Sequence, residues 1–374
     1  MRAILKKIIL FWRSVKIKFI KRNQKTSLMN KTETTMEDMQ DIEKKETVPN
    51  LARGFACPYP GYSFGTCQDN LYADTGNAFF SVVDGVSEGM GQSYYAMLLS
   101  KYKSDSEDIR LTKDDAEKIH DEWKEYQESL IAQGRMPRTA HELYNKGKWA
   151  QATYVRLKFY SGKSEEDCIR WKCAVLGDSA LLHISKSDEV LKIKHVMMSN
   201  ENVRADNFKY SDSKGYYDFS EAPDSLDKVG TWLENEAYIE DISCEVGDIF
   251  LLATDHVAAW LLDDATKSID RINQLVSVQT QKEFQELLDK EREVNPETGY
   301  QNMGDDDSTA FIIEINDPMN LEFNVTAIID PRKKYEEEKA LKKAAIETKA
   351  TSDDSNCTSC SIETQQDKDN NKKD

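Results

Sequence analysis

Trp171-Lys172-Cys173-Ala174-Val175-Leu176-Gly177-Asp178-Ser179-Ala180-Leu181-Leu182-His183-Ile184-Ser185 carries two short apolar runs around a Gly-Asp-Ser turn, and residues 190–195 follow with a third. Runs of this length bounded by turn residues read as strands. Strands that follow one another so directly pair as antiparallel hairpins, because a parallel pair needs a long crossover. Residues 152–159 supply a strand before them, and residues 248–253 another after. Residues 78–83 form an earlier strand that ends in Asp84-Gly85. Residues 310–315 and 321–329 close the series, the last with Leu321, Phe323 and Val325 alternating with Glu322, Asn324 and Thr326. Helices stand between the strand groups. Thr112 with Asp115, and Thr280 with Glu283, have the spacing of N-terminal capping boxes. Ile119, Trp123 and Leu130 give the first of these helices an apolar stripe, and Gly134 and Pro137 stop it. The pattern predicts an α+β fold, a four-layer αββα sandwich of two antiparallel sheets flanked by helices.

The chain has 374 residues and a formal net charge of -17. That length holds one large domain with tails. The acidic balance excludes a broad basic face for nucleic acid. The cysteines are seven in number and scattered, which argues against a disulfide framework and for a reducing, cytoplasmic setting. Cys357 and Cys360 make a lone C-x-x-C with no further zinc ligands nearby.

The tails differ from the middle. Residues 1–31 contain no acid and ten Lys or Arg, with Ile4, Ile8, Phe11, Trp12, Val15 and Phe19 spaced for one helical face. Lysines interrupt the apolar positions too often for a membrane-spanning helix. A basic amphipathic helix lying on an anionic membrane surface is the leading reading; a targeting presequence and a solvated tail compete with it. Residues 32–52 read as linker, 53–330 as the folded domain, 331–350 as an exposed helix and 351–374 as a disordered polar tail.

Aspartates stand where the strands end. Asp84 follows residues 79–83, Asp255 follows residues 249–254, Asp307 precedes residues 308–313, and Asp69 lies shortly before a strand. Rigid strand ends suit a metal cage, and oxygen-only ligands suit Mg²⁺ or Mn²⁺. Any one of them taken alone reads more readily as a turn residue or strand terminator.

Four motifs in order change that balance. Phe80-Ser81-Val82-Val83-Asp84-Gly85-Val86-Ser87-Glu88-Gly89, Gly177-Asp178-Ser179, Gly247-Asp248-Ile249-Phe250-Leu251-Leu252-Ala253-Thr254-Asp255 and Asp306-Asp307-Ser308-Thr309-Ala310-Phe311 resemble the motifs of metal-dependent type 2C serine/threonine protein phosphatases. The resemblance runs from about residue 60 to residue 316. It implies the αββα sandwich and hydrolysis of phosphoserine and phosphothreonine in a phosphorylated protein substrate. It further implies two Mn²⁺ or Mg²⁺ ions bridged by Asp84, with the Gly85 carbonyl as a further ligand. Asp69 would act through its water shell, Asp255 and Asp307 would hold one ion from the opposite side, and Asp178 would stand near a third. The chain departs from the family at several positions. Gln68 stands for a frequent glutamate, Phe64 for a phosphate-binding arginine and Val86 for a histidine; bacterial-like members often lack the last two. His256 stands for a glycine and Ala259 for an aspartate of the third site. His256 reads more readily as packing at the start of a helix over residues 257–262 than as a chemical group. Two other functions compete: a phosphatase-like binding module with weak catalysis, and a hydrolase of small phosphate esters.

Overall fold

The computed structural model describes residues 48–86, 89–103, 108–162, 168–187, 190–199 and 223–356, with side chains described up to residue 344. The basic segment 1–31, most of the linker, Ser87, Glu88, Cys357 and Cys360 lie outside the described residues.

The strands are β1 (Asn50–Cys57), β2 (Asn70–Asp74), β3 (Phe79–Gly85), β4 (Ala152–Tyr160), β5 (Arg170–Leu176), β6 (Ala180–Ser187), β7 (Val190–Met197), β8 (Ala237–Ser243), β9 (Asp248–Ala253), β10 (Ser308–Glu314) and β11 (Phe323–Ile328). They build a six-stranded sheet in the order β11-β1-β10-β9-β6-β7 and a five-stranded sheet in the order β2-β3-β4-β5-β8. Every pair is antiparallel except β1 with β11, which run parallel at one edge.

Two layers of apolar side chains face each other between the sheets. Phe80 of β3 meets Phe311 of β10 edge-on at 5.3 Å, and Phe159 of β4 meets Phe250 of β9 at 5.1 Å. Each such pair adds about 1 kcal/mol beyond its buried area. The outer faces are covered by helices. On the five-stranded sheet lie α1 (Gln92–Lys101) and α2 (Lys113–Ala132), followed by the short α3 (Arg138–Asn145). The buried stripe Ala116, Ile119, Trp123 of α2 meets Tyr95 and Leu99 of α1 and Tyr154 of β4. On the six-stranded sheet lie α4 (Asp255–Leu262), α5 (Ser268–Ser277) and α6 (Gln281–Glu291), which bury Trp260, Ile272 and Phe284 against Phe55, Leu251 and Ile312. The architecture is therefore the α+β four-layer sandwich. Both expected capping boxes are made, Thr112 with Asp115 and Thr280 with Glu283.

Two details depart from the sequence reading. Residues 171–185 are not a hairpin: β5 belongs to one sheet and β6 to the other. The Gly177-Asp178-Ser179 turn carries the chain between layers, and it needs the glycine. Gly177 has φ +89°, and a Cβ there would meet the Thr153 side chain at 2.4 Å. The second departure is the last helix, α7, which spans Pro331–Asn356 and so extends past the boundary at 350 into the segment read as tail. Once nucleated, each added residue brings one backbone hydrogen bond, which carries a helix through weak formers.

Candidate metal centre

One edge of the sandwich gathers the carboxylates. Asp84 is the sixth residue of β3 and pairs with Thr153 of β4. Thr153 Oγ1 lies 2.8 Å from Ser179 Oγ, which ties β4 to the turn holding Asp178. β6 leaves that turn with Ala180 beside Ala253, the last residue of β9. Thr254 then accepts the Thr309 N–H at 2.9 Å and donates its own N–H to the Thr309 carbonyl at 3.0 Å. Asp255 and Asp307, which flank those threonines, are thereby locked beside each other. Asp255 is the first residue of α4. Asp307 is fixed further by two backbone donors, Tyr59 N–H to Oδ1 and Gln68 N–H to Oδ2, each at 2.6 Å. Asp69, one residue beyond Gln68, is 1% exposed.

The electrostatics record the crowding. Burial, followed by the charges of Asp307 and Asp255, pushes the Asp69 carboxyl well above its ordinary range. Burial and the charges of Asp69, Asp255 and Asp178 do the same to Asp84. Asp178 is pushed up to about 7 by burial and then by Asp255. Asp307 is raised by burial, against the pull of its two backbone donors. Five carboxylates from two sheets thus share one low-dielectric edge.

The donor set fits a hard cation. Asp69 Oδ2 and Asp178 Oδ1 are buried and accept no hydrogen bond, as is the Gln68 side-chain oxygen. Buried polar atoms ordinarily find partners, and an oxygen-only cage supplies the coordination that divalent hard ions take. Gly85 stands at the end of β3 beside this cage, where a Cβ would meet the Gln68 carbonyl at 2.9 Å and Gln92 Cβ at 2.8 Å. The third position is poorer: Asp178 is present, and Ala259 on α4 offers no ligand.

His256 does more than pack at a helix start. Its Nδ1 lies 3.0 Å from Asp255 Oδ1 and 3.7 Å from Asp306 Oδ2. Donor atoms of Asp255, His256 and Asp306 all lie within 4.8 Å of one another. Burial works against the imidazolium, but the Asp255 hydrogen bond and the charges of Asp255 and Asp306 raise His256 to about 8. Asp306 is the residue that reading the sequence passed over, although the acidic run 305–307 marks it. Arg292, buried behind the site, holds the segment by donating to the Asp306 carbonyl and to Ser308 Oγ.

An open cleft of about 410 Å³ adjoins the centre, lined by Tyr59, Tyr62, Thr66, Gln68, Asp306 and Asp307. Phe64, between the two tyrosines and Asp69 in sequence, is not among its lining residues. Its ring packs against the apolar layer between the sheets.

No family model and no curated protein matches the chain. Solved structures do. PppA, described as a key regulatory component of T6SS in Pseudomonas aeruginosa, is 14% identical, with 71% of this chain and 98% of that one covered at a TM-score of 0.40. The catalytic domain of the serine threonine protein phosphatase PstP, solved with two manganese ions, is 14% identical over 72% and 100% of the two chains at 0.38. Serine/threonine phosphatase Stp1 from Staphylococcus aureus is 13% identical over 72% and 96% at 0.41. Two of these three structural neighbours are named as serine/threonine phosphatases.

Proposed function

We propose that this chain is a metal-dependent protein phosphatase that hydrolyses phosphoserine and phosphothreonine. One observation carries the reading: Asp69, Asp84, Asp178, Asp255 and Asp307 converge from both sheets on one edge, and two of their buried oxygens lack any partner. Asp84, the Gly85 carbonyl, Asp69, Asp255 and Asp307 would hold a pair of Mn²⁺ or Mg²⁺ ions, with Asp178 beside a third. When bound, such ions supply Lewis acidity at phosphorus and a water that ionises near neutral pH. The chain's own part is rigidity. Strand ends fix Asp84 and Asp255, and the Tyr59 and Gln68 amides fix both oxygens of Asp307, so the cage needs little reorganisation. Gln68 keeps an oxygen where a second charge would stand.

A second reading, a phosphatase-like binding module, draws on Phe64, a partly buried ring packed against the core that offers no charge to grip phosphate. One assay separates the two. With Mn²⁺ present the full chain should release phosphate from a phosphothreonine peptide, and excess chelator should abolish it. Full activity in chelator would end the metal reading. Release no faster than buffer, under Mn²⁺ and Mg²⁺ alike, would favour the module.

A further inference from the structure

The cleft beside the centre has a composition that the hydrolytic chemistry does not explain. Tyr59 and Tyr62 are large aromatics left 42% and 62% exposed. Their rings meet edge to face at 5.3 Å, and both residues line the cleft. The turn that carries them is not loose. Tyr62 N–H donates to the Tyr59 carbonyl at 3.0 Å, Thr66 donates to the Ser63 carbonyl from both its N–H and its hydroxyl, and Tyr59 N–H is fastened to Asp307. The aromatic pair is thus held at a fixed position relative to the metal aspartates.

Among the described residues that line the cleft there is neither lysine nor arginine, whereas Asp306 and Asp307 do line it. Both oxygens of Asp307 are taken by backbone amides. Asp306 is the freer of the two: its side chain is 46% exposed, Oδ1 accepts the Asp307 N–H, and Oδ2 is 3.7 Å from His256 Nδ1. Arg292 stands behind the segment, engaged with the Asp306 carbonyl and Ser308. An acidic residue of a substrate brought here would meet the exposed Asp306 carboxylate, which His256 at 3.7 Å offsets only in part. A cation would meet aromatic faces and a carboxylate, the two groups that stabilise it best when it leaves water.

The missing phosphate grip gives the cleft work to do. Phe64, partly buried against the core, offers no charge to a phosphate, so that position adds no grip and binding energy is drawn from beyond the phosphoryl group. Resting on the phosphatase reading above, we infer that this cleft reads a lysine or arginine close to the phosphorylated residue. Tyr59 and Tyr62 take the cation by cation–π contact, and Asp306 balances its charge. The favoured substrates are therefore phosphoproteins with a basic flank.

The test uses the full chain with Mn²⁺ and three phosphothreonine peptides that differ only in arginine, alanine or glutamate beside the phosphoresidue. The arginine peptide should exceed the alanine peptide in kcat/KM by about tenfold, mostly through KM, with the glutamate peptide lowest. Tyr62→Ala should shrink the arginine preference, and Tyr62→Phe, which keeps the ring face, should retain it. Hydrolysis of all three at one rate would overturn the inference and leave the phosphatase reading standing. Undiminished preference in Tyr62→Ala and in the Tyr59→Ala/Tyr62→Ala double variant would also overturn it, by assigning the preference to the diffuse charge of the chain. If no peptide is hydrolysed, the phosphatase reading falls, and fluorescence anisotropy with the same labelled peptides decides the cleft separately. Tighter binding of the arginine peptide that weakens in Tyr62→Ala supports it, and equal binding refutes it.

Discussion

β9 has an aspartate at its start and another two residues past its end, and the two live in opposite worlds. Asp248 is 1% exposed and fully provided for: His183 Nε2 lies 3.0 Å away, Lys194 Nζ donates at 2.8 Å and the Glu245 N–H at 2.8 Å. Burial pulls its carboxyl up, but those donors outweigh burial and hold it below the ordinary range. Asp255, about 20 Å along the strand, stands among Asp69, Asp84, Asp178 and Asp307, where the raised groups are each pushed up by burial first and mostly by other carboxylates next. Both aspartates have a histidine at 3.0 Å, so the histidine does not distinguish them. The count of cations does. Where the chain brings its own cations, the carboxylate is structural; where it gathers carboxylates faster than cations, the balance must be supplied from outside.

The largest effect should come from the cation-poor end. Asp84→Asn removes the charge that lets two divalent ions sit close together, and repulsion between such ions is severe at close spacing. Turnover should fall by about 10³-fold or more. Calorimetry should count fewer bound Mn²⁺, and the metal-free variant should melt no lower than the parent, because a source of repulsion has gone. Near-parental turnover would reduce Asp84 to a strand terminator.

Asp248→Asn should do the reverse. It leaves Lys194 and His183 without their shared anion and costs about 3 kcal/mol, the scale of a broken buried pair. For a domain of this size the melting temperature should drop by roughly 6–12 °C, with metal stoichiometry unchanged. A drop that vanishes when Mn²⁺ is added would mean that the two ends are not independent.

The smallest effect is a slope. Carboxyls raised in the fold retain protons that the unfolded chain releases, so their contribution is present at low pH and lost as pH rises from about 4 towards 7, the value that Asp178 reaches. In chelator the parent should melt progressively lower between pH 5 and pH 8. Asp84→Asn should show a shallower decline, and Mn²⁺ should flatten it by replacing the protons. A parent whose melting temperature climbs over that range in chelator would contradict the crowding.

The sequence made the apolar strands plain and the more polar ones obscure. Residues 249–253 are apolar throughout, and residues 248–253 read to the residue as β9. β1 was missed because Asn50, Arg53 and Gly54 look like loop residues. In the fold Arg53 finds Gln279, the Val276 carbonyl and Glu314, and Gly54 lets Leu71 and Phe311 approach where a Cβ would sit at 2.8–2.9 Å. Those partners lie far away in sequence, so no local pattern marks them. The same holds at the site. Motif order brought out Asp69, Asp84, Asp178, Asp255 and Asp307, whereas the approach of His256 to Asp306 and the open tyrosine pair exist only once the 57–69 and 304–307 segments meet. The Gly-Asp-Ser turn misled for a related reason: two strands joined by a tight turn can share a sheet or cross between two, and only packing decides which.

The pairing of β1 with β10 and β11 sets an order on biosynthesis. A strand made near the start of the domain waits for partners made near its end, since Cys57 pairs with Ser308 and Asn50 with Phe323. Contacts this remote in sequence close late and slowly. Asp307 is synthesised just ahead of β10, so a nascent chain carries Asp69 and Asp84 without the carboxylates that complete their cage. On the proposed metal reading, ion capture would belong to the finished fold, and the ribosome-bound intermediate is a protein with exposed sheet edges that needs protection from its neighbours.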